Sequence, residues 1–287
     1  MGLNIERLGG GAAVHTKGII LGPHGIGKTS LIRKLPEDKT LLIDLEAGKL
    51  ALGARVENGE AIPAWKGLRI DAFAEAQRLG LSVWDVARGI AVWLGGPSPF
   101  VSREQESYGQ YHYKCMVDLF GDPKPVLEHV DNIFVDSISV ASRACFQWGK
   151  GQSRGQIEKG EKRGEVDTRG LYGLVKDESL QWLTQLQHTP KNIWMVGGLD
   201  PTEDDNGRKG WRAQIEGAGT ANALPGIVDE IITYTQINDG VNPPYRGFVC
   251  QTLNPWGFPA KDRSGALDMV EEPDLGKLMT KLASTGA

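Results

Sequence analysis

The sequence predicts an α/β protein with a mainly parallel sheet, and three observations lead to that fold class. Short, continuously apolar runs such as 39–45 and 130–137 are typical of strands that are covered on both faces. Segments such as 73–79 and 83–94 carry apolar side chains at three- and four-residue spacing, which indicates helices between the strands. A glycine-rich loop follows the first strand and precedes a helix at 31–35. Alternating strands and helices favour parallel pairing through crossover connections.

Composition excludes several classes of protein. The 287 residues include 40% hydrophobic residues. Their net charge is −4, so no global basic field attracts nucleic acid or anionic membrane. The cysteines Cys115, Cys145 and Cys250 are far apart, which argues against a disulfide framework or a zinc site. The chain has no apolar run of membrane-spanning length and no apolar signal core at its start. We therefore expect a cytoplasmic protein with no membrane partner.

The residues after the first strand fit the pattern G-x-x-x-x-G-K-[ST] of a P-loop. Glycines permit close approach of the backbone, and the loop N–H groups then converge on a phosphate at a helix N-terminus. Lys28 is predicted to reach the β- and γ-phosphates of ATP, and the Thr29 hydroxyl is predicted to contact Mg²⁺. The predicted nucleotide-binding residues are Gly22, Pro23, His24, Gly25, Ile26, Gly27, Lys28, Thr29 and Ser30.

Two later strands end in carboxylates. The apolar run 130–135 leads to Asp136, which has the form of a Walker B acid that holds Mg²⁺ through water. The run 39–45 leads to Asp44 and Glu46, at the edge of the sheet where ligands lie in open α/β folds. Hydrolysis requires an oriented water, and Glu46 is the candidate for that role. The alternative is that Asp44 and Glu46 form a helix cap and a structural ion pair.

In the order of its P-loop, Glu46 and the Asp136-Ser137 pair, the chain resembles the RecA superfamily. That resemblance implies that Glu46 is the catalytic base and Asp136 the Walker B acid. The stretch 260–265 is similar to the Lys-Asn-Arg-x-Gly motif of RadA and DnaB-type helicases, which implies that Lys261 and Arg263 reach the γ-phosphate of a neighbouring subunit. The runs 134–148, 224–230 and 253–265 most resemble bacteriophage and prophage RecA-like ATPases related to phage single-strand annealing proteins.

The chain departs from the RecA pattern at two places. Where RecA has a polar sensor glutamine, this sequence has Gly197 and Gly198, and Asp200 is the nearest polar candidate. The asparagine of the trans-acting motif is Asp262 here, which is expected to pair with Arg263.

Two polar loops, 149–173 and 200–221, correspond by resemblance to the DNA-binding loops of RecA proteins. The first is net basic, and its phosphate contacts would weaken as salt rises. The second has three basic and five acidic residues, so it is not a basic patch, and only its segment 208–212 combines cations with the stacking ring of Trp211, as expected for single strands. Solvated surface loops remain the alternative. The candidate DNA-binding residues are Lys150, Arg154, Lys162, Arg163, Arg208, Lys209, Trp211 and Arg212.

The sequence predicts an N-terminal extension over 1–16 and one RecA-like P-loop NTPase domain over 17–287, with a helical insertion at 53–125. The expected function is Mg²⁺-dependent, DNA-dependent ATP hydrolysis on single-stranded DNA in phage recombination or replication, in the host cytoplasm. The site would be completed in trans, so a homo-oligomer, either a ring or a filament, is expected. A nucleotide-gated assembly protein, a DnaB-like motor without a loading domain and a P-loop small-molecule kinase remain alternatives.

Overall fold

A mixed, mainly parallel sheet lies at the centre of the computed structural model, which describes residues 15–57, 59–101, 106–152, 168–203, 207, 209–240 and 242–284. The strands are β1 Lys17–Leu21, β2 Thr40–Asp44, β3 Arg55–Glu57, β4 Glu60–Ile62, β5 Leu68–Asp71, β6 Asn132–Asp136, β7 Asn192–Gly197, β8 Leu199–Glu203, β9 Lys209–Ala213, β10 Glu230–Ile237, β11 Tyr245–Val249, β12 Lys261–Asp262 and β13 Val270–Glu271.

Helices flank the sheet, and two short 3₁₀ helices follow the glycine-rich loop. The α-helices are α1 Lys49–Leu52, α2 Ala72–Leu79, α3 Val83–Gly95, α4 Gln110–Phe120, α5 Lys124–His129, α6 Ile138–Gly151, α7 Thr168–His188, α8 Ala218–Ile227 and α9 Leu275–Ala283. The 3₁₀ helices are Thr29–Lys34 and Glu37–Lys39. The first of them ends before Pro36, which disfavours helical backbone in the residue that precedes it.

Within the described residues the central sheet has nine strands in the order β13-β11-β10-β1-β7-β6-β2-β5, and β12 pairs with the start of β10. The six strands from β10 to β5 pair in parallel, while β11 and β12 run antiparallel to β10. Strand β1, which precedes the glycine-rich loop, therefore lies between β10 on one side and β7 and β6 on the other. The predicted α/β fold with a mainly parallel sheet is confirmed.

Alternate residues of the central strands face two separate hydrophobic cores. Ile19 and Val135 face the core that α3, α6 and α7 complete, whereas Ile20 and Phe134 face the core beneath the 3₁₀ helix and α9. Both faces are covered, which explains why these strands are continuously apolar in sequence. Gly18 is needed where β1 passes β7, because a Cβ there would overlap the ring of Trp194.

Two segments differ from the sequence prediction. The polar loop predicted at 200–221 contains a β-hairpin, in which β8 pairs with β9, and continues into α8. Residues 53–125, predicted as a helical insertion, also contain the β3–β4 hairpin and the strand β5, which extends the central sheet beside β2. Short, polar edge strands escape prediction because their partners, rather than their own hydrophobicity, define them. Across the part of the chain that is described, no helix has the length and apolarity needed to cross a membrane.

Candidate nucleotide-binding site

The loop between β1 and the first 3₁₀ helix has the backbone of a phosphate cradle. Gly25 and Gly27 adopt positive φ angles of 78° and 109°, which side chains strongly disfavour. A Cβ at Gly22 would overlap the carbonyl oxygen of Tyr234 in β10. The Gly22 N–H donates to the carbonyl of Gly197 at the end of β7, 3.1 Å away. The loop is thus fixed between its two neighbouring strands at the carboxyl edge of the sheet.

Lys28 lies inside this loop. Its ammonium donates to the carbonyl oxygens of Gly22 and Pro23, at 2.8 and 2.9 Å. Burial lowers the pKa of Lys28, while the nearby charges of Glu46 and Asp136 oppose that shift. A cation held at the mouth of a cradle of backbone N–H groups is suited to bind the oxygens of a polyphosphate.

Asp136 ends β6 as the predicted Walker B acid. Its carboxylate is 3% exposed and accepts a hydrogen bond from the Thr29 side chain. Burial raises the pKa of Asp136 to about 7, and the charges of Glu46 and Asp44 add to the rise. A bound divalent cation would stabilise the ionised form of a buried carboxylate that has other negative charges nearby.

The donor set fits Mg²⁺. Among the described residues there is no cluster of three or more His, Cys, Asp or Glu side chains that could form an all-protein metal site. Mg²⁺ bound with a nucleotide needs only one or two protein groups besides phosphate and water. The Thr29 hydroxyl and the Asp136 carboxylate would hold it, and the ion would neutralise charge on the phosphates.

The two acids after β2 have different surroundings. Asp44 is buried and accepts two hydrogen bonds from the Arg69 guanidinium of β5, at 2.9 and 2.5 Å. It is therefore the structural ion-pair partner that the sequence left open. Glu46 is exposed, accepts a hydrogen bond from the Ser137 hydroxyl, and so reaches the Walker B strand. Its position beside Lys28 and Asp136 is compatible with the predicted role of orienting water.

A glutamine that the sequence did not single out lies next to the glycine pair after β7. A Cβ on Gly198 would overlap the Gln214 side chain, and the Gln214 N–H donates to the Gly198 carbonyl at 3.0 Å. The Gly198 N–H in turn donates to the Ser139 hydroxyl of α6, at 2.8 Å. The Gln214 side chain thus occupies the space that a side chain at position 198 would fill, although Gln214 itself follows β9 in the sequence.

Lys261 and Arg263 lie at the opposite edge of the sheet from their own P-loop. Lys261 pairs with Ile231, which is the second residue of β10 and is in register with Ile19 in β1. The Lys261 ammonium donates to the carbonyls of Pro225 and Val228, both at 2.6 Å, at the end of α8. Arg263 instead forms an ion pair with Asp229 at 2.7 Å and is about half exposed.

The expected pairing of Asp262 with Arg263 is wrong. The Asp262 carboxylate accepts hydrogen bonds from the backbone N–H groups of Ser264, Gly265 and Leu267 and from the Ser264 hydroxyl. Because aspartate readily caps its own turn, these local N–H groups satisfy it and leave Arg263 to Asp229.

Beside this turn, Glu230 offers a test of the electrostatics. It is 2% exposed, and burial followed by the charge of Asp262 raises its pKa from 4.5 to about 7. The folded state binds this proton more tightly than the unfolded chain does, so protonated Glu230 contributes to the free energy of unfolding. That contribution is complete below pH 4.5 and is lost as the pH rises through 7. We expect Glu230→Gln to raise the free energy of unfolding at pH 8 by on the order of 2 kcal/mol and to change it little at pH 4.5. Thermal melts at both pH values measure this, with the exposed Glu60→Gln as control. Equal shifts at both pH values would contradict it.

A polar groove of about 670 Å³ lies at the carboxyl edge of the sheet, and of the predicted DNA-binding residues only Arg212 is among its described lining residues. Its lining includes three cationic side chains, two acidic side chains and an aromatic ring: Arg143, Lys176, Arg212, Asp200, Glu216 and Tyr172. Arg212 is thus in the groove. Trp211, on the hairpin, packs its ring against Phe258 at 5.5 Å and is 39% exposed.

Lys150 is connected to the same groove by two aromatic rings, those of Phe146 and Tyr172, of which Tyr172 lines the groove. Its ammonium is 4.5 Å from the ring centroid of Phe146, which packs against Tyr172. Arg154, Lys162, Arg163 and Arg208 lie outside the described residues, as does the Lys209 side chain. Arg143 and Lys176 belong to no motif in the sequence, because each lies on a helix with an ordinary amphipathic pattern.

The comparisons with known proteins agree with this geometry. A family model described as an AAA domain matches residues 15–264, which is most of the chain. A search of the curated proteins finds no match. The match includes the P-loop, Asp136 and Glu46, and the coarse prediction of a nucleotide-binding P-loop ATPase is confirmed. The chain therefore belongs to the AAA domain family and is a P-loop ATPase.

Proposed function

We propose that this ATPase is a RecA-like, Mg²⁺-dependent protein that uses ATP hydrolysis to act on single-stranded DNA in phage recombination or replication. The observation that carries the proposal is the cationic groove beside the Walker B helix α6, which is linked to the P-loop by hydrogen bonds. ATP is the expected nucleotide and a homo-oligomer the expected assembly.

The chemistry of the groove supports a nucleic-acid strand. Arg143, Lys176 and Arg212 are exposed cations that can contact phosphates, and together they exceed the two acids of the groove by one charge. Tyr172 is 45% exposed and offers a face on which a base can stack. Cations along a groove with an aromatic platform are the combination by which proteins bind single strands without reading sequence.

The connection between groove and P-loop supports a DNA-dependent ATPase. Gly197 accepts from the N–H of Gly22, and the adjoining Gly198 contacts both Ser139 and Gln214. The Ser142 hydroxyl, one turn further along α6, accepts from the N–H of Glu216 on the groove wall. A bound DNA strand that shifts this wall would therefore act on Gly198, whose neighbour Gly197 is hydrogen-bonded to Gly22 of the P-loop, and this is a contiguous route for coupling.

The position of the second cationic pair supports an oligomer. Lys261 and Arg263 lie at the amino edge of the sheet and the P-loop at its carboxyl edge, so they do not complete the site of their own chain. A head-to-tail interface would bring the two edges of neighbouring subunits together, in a closed ring or an open filament. Arg263 is the better candidate of the two, because Lys261 already donates to the end of α8.

The proposal predicts that single-stranded DNA stimulates ATP hydrolysis and that salt suppresses the stimulation. Arg143→Ala together with Arg212→Ala should reduce the stimulation by about 10-fold or more, because two phosphate contacts are lost, while hydrolysis without DNA stays near the wild-type rate. Log affinity falls as log salt concentration rises, and each lost phosphate contact should make that slope shallower by about 0.7. The measurement is steady-state ATP hydrolysis and DNA binding at about 50 mM and about 200 mM salt.

The matched control is Arg78→Ala, since Arg78 is an exposed cation on α2 that lies outside the groove. Stimulation that is unchanged by the double substitution would show that DNA does not occupy this groove. Hydrolysis that ignores DNA at both salt concentrations would refute the DNA-dependent function and favour a protein-partnered assembly factor. Turnover only in the presence of a small-molecule acceptor would favour a kinase.

A further inference from the structure

A second cavity, of about 350 Å³, adjoins the P-loop on the side away from the Walker B strand. One wall consists of residues of the P-loop itself, and the other wall comes from the ends of β10 and β11. The lining residues are Pro23, His24, Gly25, Ile26, Gln236, Pro244, Tyr245 and Arg246.

The order of strands fixes which end of a bound nucleotide can enter this cavity. Asp136 and Glu46 follow β6 and β2, which lie on one side of β1 beyond β7. These acids, with Thr29, mark the end of the triphosphate at which metal and water would act. The cavity lies on the other side of β1, beside β10 and β11. A ligand whose phosphates fill the loop would extend into it with its remaining part.

The cavity wall includes two polar side chains from outside the P-loop, Gln236 on β10 and Arg246 on β11. Gln236 and Arg246 are paired directly across β10 and β11, so their side chains share one face of the sheet. Tyr234, two residues earlier, is on that same face and lies close to Gly27. The Arg246 Nη1 atom is 3.9 Å from where a Cβ of Gly27 would be. The Gln236 and Arg246 side chains are exposed, and neither forms a hydrogen bond or an ion pair with another described residue.

We propose that this cavity receives the nucleoside of the bound nucleotide and that Arg246 and Gln236 are the residues that recognise it. The inference rests on the proposed function, in which the P-loop binds the triphosphate of ATP. A guanidinium is planar and stacks on aromatic rings, and an amide donates to and accepts from the edge of a base. The Gln236 amide is thus suited to the edge of a base or to a ribose hydroxyl, and the Arg246 guanidinium can stack on a base in the cavity that it lines.

Binding of ATP compared with inorganic tripolyphosphate tests the proposal, because tripolyphosphate has the phosphates without the nucleoside. We expect Arg246→Ala and Gln236→Ala each to weaken ATP binding by about 5-fold or more, the loss typical of one stacking contact or hydrogen bond. Both variants should bind tripolyphosphate within about two-fold of wild type. Isothermal titration calorimetry with Mg²⁺ present measures both ligands, and thermal melts confirm that each variant is folded.

Arg78→Ala controls for the loss of an exposed arginine elsewhere and should bind both ligands as wild type does. Equal losses for ATP and tripolyphosphate would show that Arg246 and Gln236 act on the phosphates or on the loop, and would overturn this inference alone. Unchanged ATP binding in both variants would overturn it as well. Failure of the wild-type protein to bind either ligand would refute the proposed function, and this inference with it.

Discussion

Replacing Glu46 by Gln should lower the rate of ATP hydrolysis by at least ~100-fold, the range expected for loss of a general base, while ATP affinity stays within about two-fold of wild type. The carboxylate is exposed at the carboxyl edge of the sheet, and it accepts a hydrogen bond from Ser137 beside the Walker B acid. Glutamine keeps the size of the side chain but removes its basicity. Single-turnover hydrolysis and equilibrium binding of labelled ATP measure the two quantities separately.

Asp44→Asn is the informative comparison. Asp44 is two residues away, but it is buried against Arg69. Its loss should therefore lower the stability of the fold rather than act directly on the hydrolysis step. Glu60→Gln, on the exposed hairpin strand β4, should change neither property. Turnover of Glu46→Gln within a few-fold of wild type would mean that another group orients the attacking water.

The parts of this site that the sequence predicts are those encoded by continuous segments. Gly22–Ser30 specifies its own turn, because its glycines and the strand before it are adjacent in the chain. Asp136 is predictable because the apolar residues before it identify a buried strand and therefore its carboxyl end. The distinct roles of Asp44 and Glu46 are not, because they depend on Arg69 and Ser137, which the fold brings in from other strands.

The remaining features of the site come from pairings between distant segments. Gln214 reaches Gly198 only because β8 and β9 form a hairpin, and neither strand is apolar enough to be recognised alone. Arg246 belongs to no motif, and its place beside Gly27 results from antiparallel pairing with β10. Sequence patterns report burial and local turns well, whereas they carry little information on which polar side chains meet across strands.

A trans-acting Arg263 must leave its partner in the isolated chain. Its ion pair with Asp229 is partly exposed, and pairs of this kind typically contribute about 0–1 kcal/mol. A triphosphate on a neighbouring subunit can outcompete such a pair, because guanidinium–phosphate hydrogen bonds are bidentate and charge-assisted. Lys261 would lose two hydrogen bonds to the carbonyls at the end of α8 if it moved to a neighbouring subunit. Arg263 is thus the residue with which to test whether the ATP site is shared.

Mixing two inactive variants tests this sharing directly. Lys28→Ala should abolish hydrolysis by removing the P-loop cation, and Arg263→Ala should lower it by ~10³-fold, as loss of an arginine finger does. If the site forms between subunits, an equal mixture should recover activity at about one quarter of its interfaces, where an intact P-loop meets an intact Arg263. Steady-state hydrolysis against mixing ratio measures this, and Lys28→Ala mixed with the double variant is the control that should stay inactive. An equal mixture as inactive as its components, with both variants folded and associating, would show that Arg263 does not act on a neighbouring site.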